Sequence, residues 1–333
     1  MPEAGRADRA AGRVSMAQVA ARAGVSNQTV SRVANDSPRV DPATRLRVEQ
    51  AMAELGYRPN RAARALRTGR TQTLGLVAQT LATVGNSRML QAVAESASAR
   101  GYALTVVTLG DDGDIVRAFD RLHDQGVDGA IVLNEATALA RGAAPAGIEL
   151  VVIDSPPDDR FTVIGIDHAA GARLAVAHLK ARGHATVHHL AGPAGSFAAS
   201  ERERGWREVA GSEAPEPLRG DWTAASGYTQ GRVLAASDAV TAVFAANDQM
   251  ALGLLRALAD AGRRVPDDVA VIGFDDIADA ADYRPPLTTV RQDFDALGEQ
   301  AVQALVARIE AVAASDSVPP ALTPPTLVRR ATT

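Results

Sequence analysis

From Thr73 onward the chain repeats one alternation: a short run of consecutive apolar residues, then an amphipathic stretch. The runs are TLGLVAQT (73–80), YALTVVTL (102–109), GAIVLN (129–134), ELVVID (149–154) and TVIGID (162–167), then VHHLAG (187–192), AVTAVFAAN (239–247) and DVAVIGFDD (268–276). A strand apolar at consecutive positions must be covered on both faces. The stretches between them, such as MLQAVAESASARG, GARLAVAHLKARG and DQMALGLLRALADAG, supply the covering helices, several closed by Gly. A parallel, doubly wound α/β sheet fits this pattern. Eight such units over roughly 260 residues outgrow one core, so two lobes are expected. The proline-rich tail SVPPALTPPTLVRRATT reads as a final crossing strand or a loop.

Residues 1 to 70 break the pattern. They hold thirteen arginines against six acidic residues, a net +7; the whole chain carries −4, so the remainder carries −11. Lys180 is the only lysine, so a preference for Arg accounts for the choice of residue, but not for its clustering. A basic head on an acidic body suits a chain of which one segment meets phosphate.

Within that head, Ser15 and Gln18 form a capping box, which predicts a helix over 16–23. Val19, Ala20 and Ala23 give it a face of small apolar residues, and Gly24 ends it. Ser26 then caps a second helix running to about Asn35. Val30, Val33 and Ala34 point inward there, while Gln28, Ser31, Arg32 and Asn35 share the opposite face, with Asn27 and Thr29 on the first turn. Asp41 and Pro42 open a third helix that Gly56 closes. Two short helices joined by a tight Gly turn, with amides and an Arg exposed at the start of the second, form a helix-turn-helix. Amides can read adenine and Arg can read guanine in the major groove. A plain helical domain with a polar surface is the competing reading. In the basic connector PNRAARALRTGRT (59–71), Leu66 has little to pack against unless a short helix presents it to the minor groove as a wedge.

Other functions find less support. The chain has no cysteine, hence no disulfide, zinc ribbon or thiol nucleophile. No run approaches the roughly 18 apolar residues of a membrane span. The start, MPEAGRADRAAGR, has no apolar core of a secretory signal, so a cytoplasmic, nucleoid-associated protein is expected. No strand is followed by GxGxxG, and neither a P-loop nor a GxSxG elbow occurs. His184, His188 and His189 lack metal-ligand spacing. Asp275 and Asp276 are adjacent on a strand, so their carboxylates diverge rather than flank one bond. Neither enzyme activity, cofactor nor metal is expected.

A binding site is legible instead. Asn134, Asp154, Asn247 and Asp275 each end an apolar strand, and open α/β sheets bind ligands beyond strand carboxyl ends. A ring of carboxylates and amides with Arg202 suits a polyhydroxylated ligand, and Trp222 and Phe294 can cover its apolar face. Each Asp or Asn alone could equally be a helix cap. Asn247 has a rival in Asp248, which could cap the helix that follows.

The segment from Ser15 to Leu66 resembles the LacI/GalR family of bacterial transcriptional repressors. The likeness continues to about residue 330 through VANDSPRV, AMAELGYRPNRAARAL, GDWTAASGY, AANDQMALG, GFDD and PPLTTVRQDF, nearest the lac repressor subgroup. The resemblance implies a headpiece (15–59) after a disordered extension (1–14) and a hinge helix (60–70). It also implies a two-lobed core (71–333) like periplasmic sugar-binding proteins, with an N-lobe of about 71–167 and 293–325 and a C-lobe of about 168–292 and 326–330. It implies a homodimer on a pseudo-palindromic operator, released by a sugar effector, with a galactoside one candidate. Co-repression by the sugar, or a sugar receptor without a DNA role, are the alternatives. Gln28 and Arg32 match operator-reading positions, Leu66 matches an intercalating leucine, and Asn60 and Ala63 share its hinge. Asp154, Arg202, Trp222, Asn247, Asp275, Gln292 and Phe294 match sugar-pocket positions, with Asn134 a further contact. Asn27 departs from the subgroup's tyrosine, which points to a different operator. Residues 83–86 depart from its more apolar loop, which counts against a galactoside's aglycone side being held there as in the subgroup. The subgroup's leucine-heptad tail, which builds a tetramer, has no counterpart up to Thr333, so a dimer is expected.

Overall fold

A computed structural model of the 333-residue chain describes residues 14–34, 37–57, 65, 69–110, 113–134, 136–143, 147–310 and 322–333. It divides into two compact units, before and after the step from Thr71 to Gln72.

Among its described residues the first unit holds the helices α1 (Met16–Ala23), α2 (Asn27–Ala34) and α3 (Pro42–Leu55). The expected capping box is present: Ser15 accepts from the Gln18 amide, and Gln18 accepts from the Ser15 amide at 2.7 Å. Gly24 ends α1 at φ 65°, a left-handed conformation that residues with a Cβ seldom adopt. Ser26 Oγ accepts from the Thr29 amide at 3.1 Å and so caps α2. Asp41 caps α3 with Pro42 at its first position. Val19, Ala20, Val30, Val33, Val48 and Ala51 form the core. With side chains this small the helices approach closely.

The second unit contains two sheets. In the N-lobe, β1 (Thr73–Ala78), β2 (Ala103–Thr108), β3 (Gly129–Leu133), β4 (Glu149–Ile153) and β5 (Thr162–Ile164) lie in the order β2-β1-β3-β4-β5, all parallel. Helices α4 (Val84–Ala99) and α11 (Phe294–Ile309) cover one face, and α5 (Ile115–Asp124) and α6 (Ala136–Gly142) the other. In the C-lobe, β6 (His188–Ala191), β7 (Leu218–Arg219), β8 (Ala242–Ala245), β9 (Ala270–Asp275), β10 (Thr288–Arg291) and β11 (Thr326–Val328) lie in the order β11-β10-β9-β8-β6-β7. Helices α7 (His168–Ala181) and α8 (Phe197–Ala210) cover one face, and α9 (Ala224–Ala235) and α10 (Asp248–Asp260) the other. Strands β1, β3, β4, β8 and β9 are buried almost throughout, as consecutive apolar runs require.

The sheet departs from the all-parallel expectation at one edge. The tail forms β11, antiparallel to β10. The run at 162–167 is a strand only to Ile164, after which Ile166 makes an isolated bridge to Thr323 where the chain passes between lobes.

Candidate functional site

On the headpiece, Asn27, Gln28 and Arg32 are exposed on α2, while Thr29 and Ser31 are partly covered. The Thr29 and Ser26 hydroxyls lie 3.0 Å apart, so Thr29 faces the cap. The face opposite the Val30 and Val33 core is therefore polar and accessible, as a recognition helix requires. Asn35, Asn60, Ala63 and Leu66, most of the hinge segment, and the extension up to residue 13 lie outside the described residues.

In the core unit, all eight residues expected at the ligand site line one cleft: Asn134, Asp154, Arg202, Trp222, Asn247, Asp275, Gln292 and Phe294. Asn134, Asp154 and Asp275 stand at the ends of β3, β4 and β9. They hold positive φ angles of 45°, 56° and 113°, and Trp222 is at 73°. Such conformations cost energy unless the surroundings impose them, and they gather at ligand sites. Among the described residues, four of the six non-glycine residues with positive φ lie in this cleft.

Arg202, on α8 and 5% exposed, organises the interior. It donates to the Ala246 carbonyl and to His168 Nδ1 at 3.4 Å, and its Nη2 lies 3.5 Å from Asp275 Oδ1. Its planar group lies 4.0 Å over the Phe274 ring and 5.4 Å from that of Trp222. Burial pushes the Asp275 carboxyl above its ordinary range, against the pull of Arg202 and a hydrogen bond from Gln292 Nε2. Asp276 turns away from the cleft, 2.7 Å from both Arg291 and Arg330. The two carboxylates diverge as expected.

The amides are held too. Asn134 donates to Asn86 Oδ1, and Asn86 donates to the Thr80 carbonyl at 2.9 Å. Asn247 is itself the helix cap: its Oδ1 accepts from the Met250 amide, and its Nδ2 donates to the Trp222 carbonyl at 3.0 Å. It lines the cleft with much of its hydrogen-bonding capacity already used. Asp248 is not the cap. It is fully buried, accepting from Ile277 N and Thr289 Oγ1, and burial together with Asp275 pushes its carboxyl well up.

Thr83, Gly85, Asn86, Met89 and Ala198 also line the cleft; of these only Met89 and Ala198 come without any expectation. Apart from Ala198 they come from the start of α4 and its cap, where Thr83 accepts from the Asn86 amide. The loop at 83–86 was expected on the aglycone side of a galactoside, as a departure from the family's more apolar pattern. Two carboxylates, a guanidinium and several amides around an aromatic wall can hold a polyhydroxylated molecule by paired hydrogen bonds and ring contact.

A profile described as "Bacterial regulatory proteins, lacI family" matches residues 15–60, and one described as "Periplasmic binding protein-like domain" matches residues 176–333. The lactose operon repressor of Escherichia coli (strain K12) is 37% identical over 330 residues, covering 96% of this chain and 91% of that one. The chain belongs to the LacI family of bacterial regulatory proteins. A second relative in the LacI family, the HTH-type transcriptional regulator CelR of Thermobifida fusca, is 39% identical over 313 residues, 89% of this chain and 92% of that one. Among solved structures, the lac repressor dimer bound to operator and the anti-inducer ONPF aligns with a TM-score of 0.81 at 36% identity, covering 97% of this chain and 99% of that chain. The CelR–cellobiose complex aligns with a TM-score of 0.70 at 35% identity, covering 96% and 100%. As a LacI-family member the protein is a DNA-binding transcriptional regulator with a helix-turn-helix headpiece and a two-lobed core. Among the described residues no helix is long and apolar enough to cross a membrane.

Proposed function

We propose that the protein represses transcription as a homodimer on a pseudo-palindromic operator, in the cytoplasm, and leaves it when a neutral mono- or disaccharide occupies the core cleft. The convergence of eight strand-end and helix residues on one cleft carries this reading. Cellobiose in the CelR complex supports a sugar as the class of ligand. The cleft's guanidinium, Arg202, is already paired with the buried Asp275 carboxylate, which suits a neutral polyol better than a sugar acid or phosphate. Gln28 and Arg32 are proposed to read bases, with the Leu66 segment as the hinge that the sugar releases. A ligand that favours the DNA-free arrangement must bind it more tightly than the operator-bound one.

The test uses the purified full chain, genomic fragments that it retains, and a panel of sugars. One sugar is expected both to raise the melting temperature and to release the fragment, since a ligand at about 100 times its Kd stabilises by about 2.7 kcal/mol. Tighter operator binding with sugar would make the ligand a co-repressor; an unresponsive protein would sink the sugar reading. Binding is expected to weaken steeply as salt rises. Sedimentation at micromolar concentration is expected to show two chains, and a stable tetramer would refute the dimer.

A further inference from the structure

His168 does not line the cleft, yet it lies between two residues that do. It is the first residue of α7, just past the crossing at 165–167, and is 1% exposed. Its Nδ1 accepts from Arg202 Nε at 3.4 Å. Because a guanidinium only donates, that nitrogen carries no proton and the ring proton sits on Nε2. Nε2 lies 3.1 Å from Asp154 Oδ1, but it makes no in-line hydrogen bond to any described residue. Asp154 belongs to the N-lobe at the end of β4, whereas His168 and Arg202 belong to C-lobe helices. The ring therefore bridges the lobes beside the crossing at 165–167, with one side bonded and the other side close but unmade.

We infer that His168 is the positioning residue through which ligand contact at Asp154 is transmitted to Arg202. This rests on the cleft being the sugar site. A ligand hydroxyl that draws on the Asp154 carboxylate moves its Oδ1 relative to Nε2 and so makes or loses that hydrogen bond. The imidazole passes the shift to the guanidinium, which is tied to Asp275 and to the carbonyl that precedes Asn247. A side chain that merely filled space could not couple the two.

The test compares wild type, H168L, H168Q, D154N and the double variant H168L/D154N in operator-release titrations with the sugar that releases wild type. Each is scored against its own sugar-free operator affinity. H168L is expected to raise the half-release concentration at least about tenfold, a coupling of ordinary allosteric size. H168Q, which keeps a donor and an acceptor, is expected to stay within about threefold of wild type. H168L/D154N is expected to be no worse than D154N alone, because both changes break one link. Multiplying effects, or normal release by H168L, would overturn the inference. If H168L does not fold by circular dichroism, H168F and H168F/D154N, which likewise remove both ring nitrogens, decide it: sub-multiplicative losses support the bridge and multiplicative ones remove it. A wild type that no sugar affects would bring down the sugar reading itself, and this inference with it.

Discussion

The buried Asp275 carboxylate depends on Arg202 for its countercharge, and the Trp222 ring depends on it for a flat cationic partner. Truncating one member of a buried pair typically costs 3–5 kcal/mol, because the remaining charge is left uncompensated. Arg202→Ala is therefore expected to lower stability by about 3 kcal/mol in chemical denaturation. It is also expected to leave operator bound at sugar concentrations that free wild type. Arg202→Lys is expected to fail in the same release assay, since one ammonium cannot serve the Ala246 carbonyl, His168 and Asp275 together. Normal release by either variant would remove Arg202 from the pocket. Arg202 and the strand-end residues were legible because apolar runs stop at a polar residue where the sheet meets its ligand, or because a family phrase carried them. His168 was not, since a polar side chain in the first turn of a helix reads as a cap or as surface.

At the scale of elements, the strands that sequence missed, β7 and β10, or left open between strand and loop, β11, are the ones that break the apolar rule. β7 is two residues long, β10 reads TTVR between a proline pair and a polar turn, and β11 lies in a proline-rich tail. Buried parallel strands announce themselves by burial on both faces; an edge pair need not. The tight helix crossing of the C-lobe was equally silent. Gly253 on α10 packs so closely against the Ala224 carbonyl and the Tyr228 amide of α9 that a Cβ would overlap backbone on both sides. Gly253→Ala thus cannot be absorbed by a rotamer change, although Ala is the better helix former. It is expected to cost about 2–3 kcal/mol and to lower the melting temperature. A neutral or stabilising result would mean the two helices can move apart. In the headpiece, Ser15→Ala is expected to cost about 1 kcal/mol, read as faster hydrogen exchange at the α1 amides.

For the whole molecule, acid stability turns on a residue that takes no part in binding. His189 is fully buried, with ring centroids 5.2 Å from Trp206 and 4.8 Å from Phe244, and burial pushes its pKa down to about 4. The unfolded chain takes up that proton near pH 6.5. The neutral ring's contribution is therefore complete above pH 6.5 and is lost progressively as pH falls toward 4, by about 3 kcal/mol in all. His178, His184 and His188 shift in the same direction, also through burial. Asp248 and Asp275, pushed up, act in the opposite sense and gain stability on acidification. His189→Phe, which keeps the stack without the proton, is expected to lose less stability than wild type between pH 7 and 4.5. Parallel melting curves over that range would assign the acid loss elsewhere.

The chain order of the two lobes sets a timetable for synthesis. The N-lobe sheet forms from residues 73–164, but α11, which covers one of its faces, spans 294–309. The C-lobe waits longer still: β11 closes its edge at 326–328, and Thr332 is fully buried, bonded to Thr288 and Val271. Neither lobe can finish its core until the ribosome has delivered residues from beyond position 290, while the headpiece has all of its core by residue 57. During translation the nascent chain therefore carries a folded DNA-reading unit ahead of any lobe able to close on a ligand. An abortive product lost to a late frameshift would retain the first and lack the second.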